Sequence, residues 1–233
     1  MKFMPSGDRA MVVEFGNEIS TGVNNQVHAL AERIKREQVP GVLELVPTFR
    51  SLMVYYDPWQ TSYPKLRDTF LGSGGLGESV GGRKKRILKI PCCYGARLGL
   101  DLADMEKHTR LDRDEIIAIH SAVDYKIYMM GFLPGFVYLG GLDKRIEMPR
   151  LKTPRVKIQP GAVGIGGSQT GVYPMASPGG WRPLGGTPVA FHAPAREESS
   201  HSQAGESIRF VHITICHQQT NPRQALQGTT QAQ

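Results

Sequence analysis

Residues 131–186 read GFLPGFVYLGGLDKRIEMPRLKTPRVKIQPGAVGIGGSQTGVYPMASPGGWRPLGG, and no other stretch of the chain constrains its architecture as strongly. Of these 56 residues, 20 are Gly or Pro. That density excludes long helices and long strands, because Gly adds backbone entropy and Pro lacks an N–H donor. Apolar and aromatic residues lie between them, so the segment can still pack. It therefore predicts short strands joined by tight loops, and loops on a rigid frame often carry binding groups.

The same region is one-sided in charge. From Met148 to Arg196 there is no Asp or Glu, and the cations are Arg150, Lys152, Arg155, Lys157, Arg182 and Arg196. Arg presents a planar fork of donors, and Gly lets backbone N–H groups approach a ligand. Uncompensated cations on such a surface should attract carboxylate or phosphate groups. A solvated basic face is the alternative interpretation.

Composition sets outer limits on the function. The chain has 233 residues, a net charge of +7 and a pI near 9.4, which favours anionic partners. It has no long basic helix, zinc-finger spacing or RNP-like strand, so we expect no nucleic-acid partner. Neither a signal peptide nor an apolar run of about 20 residues is present, so we expect no membrane association. Three cysteines argue against a disulfide framework, and together these features indicate a soluble, cytoplasmic protein.

Residues 1–82 predict an α+β domain. The predicted elements are a strand at 10–15, a helix beginning at Ser20 or Thr21, strands at 42–46 and 51–56, and a helix at 63–71. Gly and Ser dominate residues 72–82, which read GSGGLGESVGG. Such a composition is typical of a flexible linker, so we expect the domain boundary there.

Residues 83–217 predict a mainly-β domain closed into a barrel, because short strands and tight turns dominate it. The predicted elements are a strand at 87–90, a loop from 91, helices at 101–108 and 112–121, a strand at 124–130, the short strands of 131–186, and strands at 189–191 and 207–215. Asp112 and Glu115 form a capping box for the second helix. His120 lies in its last turn, as a cation at the helix C-terminus or as a catalytic base. We expect residues 218–233, rich in Gln and Thr, to be disordered.

Standard catalytic motifs are missing from the sequence. The Gly161–Thr170 run lacks the Lys of a P-loop, and Gly164–Gly166 lacks the third Gly and the following helix of a dinucleotide site. The seven histidines include no HxxxH pair, so we expect no metal site. Ser168 and Ser177 lack the nucleophile-elbow pattern. Residue spacing alone therefore predicts an anion-binding surface of unassigned purpose.

Several blocks of the sequence resemble the KipI / allophanate hydrolase subunit 1 family. They are GFLPGFVYLGGLD, PRLKTPR, GAVGIGGSQTGVYP, and SPGGW followed by GGTP. The similarity extends upstream through GDRAMVVEFG, GVLELVPTFRSLMVYYDP, IPCCYG and IIAIHSAVDYKIYMMGF, and so covers residues 5–215. The resemblance implies an N-terminal α+β domain followed by a cyclophilin-like β-barrel. The family includes the B subunits of ATP-dependent 5-oxoprolinases.

This resemblance implies membership of a hydrolase complex that opens the lactam of 5-oxoproline to glutamate at the expense of ATP. It implies two partners, one like the A subunit and one like the C subunit of a 5-oxoprolinase, the latter similar to allophanate hydrolase subunit 2. ATP is used by the complex and is bound either by this chain or by a partner. Two alternatives stay open: a KipI-type inhibitor with a histidine kinase as partner, and a carboxyltransferase subunit of urea carboxylase or allophanate metabolism.

Lactam opening through a phosphorylated oxygen requires cations for phosphate and carboxylate groups and a base for water. For this chemistry we assign His120 as the candidate base and Tyr128 as its hydroxyl partner, with barrel packing as the alternative role of the tyrosine. The candidates for substrate or anion binding are Arg155, Lys157, Gly164, Gly166, Gly167, Gln169 and Tyr173. The hypothesis requires Arg155, Lys157 and the turn at 164–169 to converge in one pocket.

Four positions depart from the family pattern. Ala96-Arg97 stands where Gly-Glu is usual, Leu100 where Pro is usual, Gly186 where Arg is usual, and His192 where an Asp often follows the Phe. Loss of the Arg at position 186 predicts weaker anion binding or a changed substrate.

Overall fold

The computed structural model describes residues 1–72, 86–95, 97–192 and 202–214. The chain divides into two compact units, Met1–Lys84 and Lys85–Gln233. The predicted boundary after residue 82 and the predicted disordered tail at 218–233 both lie outside the described residues. Within the described ranges, every helix is too short or too polar to cross a membrane.

The first unit combines one sheet with two helices. Its elements are β1 Lys2–Pro5, β2 Ala10–Glu14, α1 Thr21–Glu37, β3 Val42–Pro47, β4 Ser51–Tyr56 and α2 Tyr63–Gly72. The sheet is antiparallel with the order β1-β2-β4-β3. Ser20 caps α1 by accepting the Val23 N–H at 3.3 Å. The elements predicted between residues 10 and 71 are confirmed. Strand β1 was missed, because its four residues carry too little alternation to signal a strand alone.

The core of the first unit follows from helix and strand periodicity. Its buried residues are Met11, Val13, Val27, Leu30, Ala31, Ile34, Leu52, Val54, Tyr56, Leu66 and Phe70. Met11 and Val13 alternate along β2, whereas Val27, Leu30 and Ile34 recur every three or four residues along α1. These spacings place each set on one face of its element, so the helices cover one side of the sheet.

The second unit is built around a closed barrel of seven strands. Its elements are β5 Ile87–Tyr94, α3 Leu102–Thr109, α4 Arg113–Ser121, β6 Tyr125–Met130, β7 Val137–Gly140, a short 3-10 helix at Lys144–Ile146, β8 Arg155–Ile158, β9 Ala162–Gly166, β10 Gln169–Val172, β11 Ser177–Gly179, β12 Arg182–Gly186 and β13 Ser207–His212. The strand order around the barrel is β10-β7-β6-β13-β5-β12-β9. Strands β8 and β11 form a separate two-stranded sheet. The predicted barrel is therefore confirmed.

Strand β13 closes the barrel. It pairs in parallel with β5, from Ser207 opposite Ile87 to His212 opposite Cys92, and antiparallel with β6. The other strand pairs of the barrel are antiparallel. Helix α4 packs against β13 and begins at the predicted capping box, with the Glu115 N–H 2.8 Å from the Asp112 carboxylate.

Two strand predictions in the second unit were wrong. Strand β5 continues through Tyr94, where a loop was predicted after residue 90, because both of its edges find partners: β13 on one side and β12 on the other. No strand forms at 189–191, although Val189 and Phe191 are buried. The Val189 N–H instead donates to the Thr187 hydroxyl at 3.2 Å, which turns the backbone away from a ladder.

Candidate functional site

His120 lies inside the barrel. The last turn of α4 places it there with no solvent exposure, and its ring stacks on Phe210 with centroids 4.9 Å apart. Its Nδ1 lies 2.7 Å from the Tyr94 hydroxyl and its Nε2 lies 2.9 Å from the Thr170 hydroxyl. Burial lowers the pKa of His120 to about 3, so the ring is neutral near pH 7.

The hydrogen bonds around His120 also fix its tautomer. The Thr170 hydroxyl donates its one proton to the Gly164 carbonyl at 3.1 Å, so it accepts from Nε2–H of His120. Nδ1 must then accept the proton of the Tyr94 hydroxyl. Tyr94 is on β5 and Thr170 is on β10, which are on opposite sides of the strand order. The imidazole therefore ties opposite walls together and has both nitrogens occupied.

His120 makes the stability of the protein sensitive to acid. Its pKa is about 3 in the folded state and about 6.5 in an unfolded chain, so below pH 6.5 the unfolded state binds a proton that the folded state does not. Stability from this group is complete above pH 6.5 and falls as the pH drops toward 3. We expect a loss of about 2 kcal/mol between about pH 7.5 and 5.

Urea unfolding of the wild type and His120→Gln at a series of pH values measures this loss. The Gln amide can donate to Thr170 and accept from Tyr94, so it replaces both hydrogen bonds without titrating. The variant should show a flatter dependence of its unfolding free energy on pH, whatever its stability at neutral pH. Equal pH slopes for the two proteins would contradict the assignment.

Tyr128 does not lie beside His120. Tyr125 and Ile127 on the same strand belong to the barrel core, whereas Tyr128 lies at a register shift of β6 with its ring over Gly140. The hydroxyl that reaches His120 belongs to Tyr94, which sequence reasoning missed because it placed this residue in a loop. The alternation of Ile90, Cys92 and Tyr94 is the signal that could have found it.

Arg155 forms a two-pronged ion pair with Asp101. Both nitrogen–oxygen distances are 2.8 Å, and the Asp101 side chain is only 2% exposed. Arg182 approaches the same carboxylate at 3.6 Å and Asp104 at 3.3 Å. The prediction that the cations of this region are uncompensated was therefore wrong for Arg155 and Arg182. Their partners come from the start of α3, about fifty residues or more upstream in the sequence.

The remaining predicted anion ligands lie on β8, β9 and the following turn. Lys157 is exposed on β8, and Gly164 lies in β9 between β10 and β12. Gly167 forms the turn after β9 with a φ of +68°, and its N–H donates to the Met148 carbonyl at 2.8 Å. Gln169 is buried at the start of β10, opposite Gly166. Their contact with an anion stays a prediction.

Tyr173 belongs to an aromatic cluster formed by Phe136, Tyr138, Tyr173 and Trp181. Phe136 lies at its centre, with ring centroids 4.8 Å from Tyr138, 5.1 Å from Tyr173 and 5.5 Å from Trp181. A Cβ at Gly166 would lie 2.5 Å from the Trp181 indole nitrogen, so this glycine lets the indole lie directly on the barrel wall. The cluster is thus held by edge-to-face packing and by close contact with the backbone.

The predicted residues do not gather around one point. His120 contacts Tyr94 and Thr170, Arg155 contacts Asp101, and Tyr173 contacts the aromatic cluster. Gly166 and Gln169 face each other across the β9–β10 hairpin. In the described part of the chain, no group of three or more His, Cys, Asp or Glu side chains could hold a metal ion.

Gly186, one of the departures from the family pattern, has a packing explanation. A Cβ at this position would collide with the Leu98 side chain, which fills the space that a larger residue would need. Arg97 and Leu100 are exposed, and His192 is half-buried beside Gly135. The missing Arg is therefore accompanied by a rearranged neighbourhood, in which Leu98 occupies its place.

Comparisons with known proteins identify the family. Residues 1–201 match the family described as carboxyltransferase domain, subdomain C and D. The 5-oxoprolinase B subunit of Bacillus subtilis is 41% identical over 220 residues, which are 89% of this chain and 91% of that protein. The Escherichia coli O157:H7 protein of the same name is 34% identical over 209 residues, covering 88% and 93%.

More distant similarities agree with this result. The crystal structure of TTHA0988 superimposes with a TM-score of 0.77 at 33% identity; it covers 88% of this chain, which spans only 40% of that longer chain. Urea amidolyase of Lachancea kluyveri is 25% identical over 79% of this chain and 12% of its own length. The chain belongs to the carboxyltransferase C and D subdomain family, and the relatives that it matches over nearly their whole length are 5-oxoprolinase B subunits.

Proposed function

We propose that this protein is a subunit of an ATP-dependent 5-oxoprolinase, a hydrolase that opens 5-oxoproline to glutamate. The observation that carries the proposal is the 41% identity to a 5-oxoprolinase B subunit over about nine tenths of both chains. The name of that relative implies further subunits, so we propose partners resembling the A and C subunits. A location in the cytoplasm, where ATP is available, is part of the same proposal.

The described residues do not form a phosphate cradle for ATP. A cradle needs backbone N–H groups that point at the ligand. Gly164 is in register with strands on both sides, and the Gly167 N–H is already bonded to Met148. We therefore propose that ATP is bound by a partner in the complex. This chain would then contribute contacts to the anionic substrate, with exposed Lys157 as one candidate.

The finer description of the fold belongs to the same proposal. We propose an α+β unit over residues 1–82 and a cyclophilin-like barrel over residues 83–217. The four-stranded sheet with two helices supports the first, and the closed order of seven strands supports the second.

A carboxyltransferase role is the second candidate. The similarity to urea amidolyase supports it, but that similarity is weaker, at 25% identity, and covers only 12% of the longer protein. Inhibition of a histidine kinase is the third possibility that the resemblance leaves, and co-purification separates all three.

A tagged copy of the chain, purified from its own organism, provides the test. We expect two proteins like the A and C subunits of 5-oxoprolinases to co-purify, and the complex to release glutamate and ADP from 5-oxoproline and ATP. Deletion of the gene should make 5-oxoproline accumulate in the cells. A complex that instead carboxylates urea, or a chain that co-purifies with a histidine kinase and leaves 5-oxoproline unchanged, would overturn the proposal.

A further inference from the structure

Arg150 is an exposed cation at the edge of the aromatic cluster. Its guanidinium carbon lies 5.7 Å from the centroid of the Trp181 ring, within the range of a cation–π contact. Burial raises the pKa of both Tyr138 and Tyr173, and the charge of Arg150 acts in the opposite direction on each. One guanidinium therefore lies close to the indole face and to two phenol groups.

The charge of Arg150 is not consumed within the described part of the protein. The neighbouring arginines Arg155 and Arg182 are both held by Asp101. No carboxylate of the described ranges forms an ion pair with Arg150, so its fork of donors can meet an anion from outside. A guanidinium that rests on an indole is also more rigid than a free side chain, so it loses less entropy when it binds.

Phe132 adds an apolar edge to the aromatic cluster. The Leu133 N–H donates to the Gly131 carbonyl at 2.9 Å, and Phe132 between them has a φ of +68°, which is the strained form of a γ-turn. The turn leaves the Phe132 side chain 63% exposed and edge-on to Phe136, with ring centroids 5.6 Å apart. Strain of this kind persists at ligand clamps because the surrounding structure enforces it.

We propose that Arg150, the aromatic cluster and Phe132 form a subsite for a small carboxylate that carries a flat, partly apolar ring. Arg150 binds the carboxylate, and the rings of Trp181 and Phe132 flank the rest of the ligand. The identification of this ligand as 5-oxoproline, a carboxylate on a five-membered lactam, rests on the proposed function. The class of ligand rests on the site alone: a cation with no carboxylate partner among the described residues, next to aromatic faces.

Kinetics of the purified complex test the subsite. Arg150→Met keeps the length of the side chain but removes its charge, and Lys152→Met is the matched control on an exposed cation two residues away. Loss of a charge-assisted hydrogen bond should raise the KM for 5-oxoproline by roughly 10- to 100-fold in Arg150→Met. We expect Lys152→Met to leave KM unchanged and Arg150→Lys to restore most of the affinity. Thermal melting and co-elution with the partners confirm that each variant folds and assembles.

Binding to the full chain alone provides a second measurement that needs no turnover. Trp59 is 91% exposed and is the other of the two tryptophans, so Trp59→Phe leaves Trp181 as the reporter. The Trp181 emission should change saturably with 5-oxoproline. It should change at much higher concentrations with the neutral amide of 5-oxoproline, and Arg150→Met should remove the preference for the acid.

The two measurements distinguish failure of the subsite from failure of the proposed function. A wild-type complex without turnover, together with an acid-selective Trp181 response, would refute the 5-oxoprolinase activity and keep the carboxylate subsite. An active complex in which Arg150→Met has a normal KM, together with a Trp181 emission that does not respond, would refute the subsite and keep the activity.

Discussion

Gly161→Ala is expected to destabilise the barrel unit by about 3–5 kcal/mol. Gly161 has a φ of +79°, where any side chain is strained, and a Cβ would collide with the carbonyl oxygen of Thr187. The backbone cannot move away from this collision. The Gly161 N–H donates to the Tyr173 carbonyl at 2.7 Å, and the Gly161 carbonyl accepts from the Thr187 N–H at 2.8 Å.

Gly141→Ala is the matched control for this prediction. Gly141 lies in the same unit with a φ of +94°, but nothing lies within 4 Å of the added Cβ. Its substitution should cost about 1–2 kcal/mol from the backbone conformation alone. Urea unfolding followed by Trp181 fluorescence in a Trp59→Phe background measures both free energies. Equal losses for the two variants would show that the collision with Thr187 is relieved.

Asp101→Asn is expected to destabilise the barrel unit by about 2–4 kcal/mol. The substitution keeps the shape of the side chain but removes the charge that two arginines share. Asp101 is nearly fully buried, so water cannot replace it at that point. Arg155 and Arg182 are 29% and 17% exposed, so partial hydration keeps the loss below that of a fully buried pair.

Asp104→Asn separates burial from charge in this network. Asp104 contacts the same Arg182 at 3.3 Å, but its side chain is 55% exposed. An exposed ion pair contributes little, so we expect a loss of less than about 1 kcal/mol. Denaturant titrations at low and high salt should show that only the Asp104 contribution is screened. If Asp101→Asn costs no more than Asp104→Asn, the buried bridge does not stabilise the unit.

Local signals in the sequence predicted the helices well. Ser20 precedes a 3.6-residue pattern, and Asp112 with Glu115 satisfies the first N–H groups of α4. Each signal acts within a few residues, so it does not depend on the rest of the fold. Strand β5 beyond residue 90 was missed for the opposite reason. Its partners lie about 90 and 120 residues away in sequence, and only that pairing makes PCCY a strand.

The candidate site was less predictable, because its interactions join distant segments. The Gly/Pro-rich region was correctly expected to hold short strands, but its one-sided charge was misleading. Asp101 neutralises Arg155 from 54 residues upstream. His120 was correctly placed at the end of α4, and only the closed barrel brings Tyr94 and Thr170 to its two nitrogens. The aromatic residues around Arg150 likewise come from separate strands and loops.

The parallel pairing of β13 with β5 has a consequence for biosynthesis. One edge of β5 and one edge of β6 stay open until residues 207–212 leave the ribosome. The ends of the ring are separated by about 120 residues, which take on the order of 10 s to translate. During that interval the nascent polypeptide exposes two strand edges that could pair with another copy. A chaperone that shields emerging strands should therefore raise the soluble yield, whereas a stop codon before position 207 should leave only aggregate.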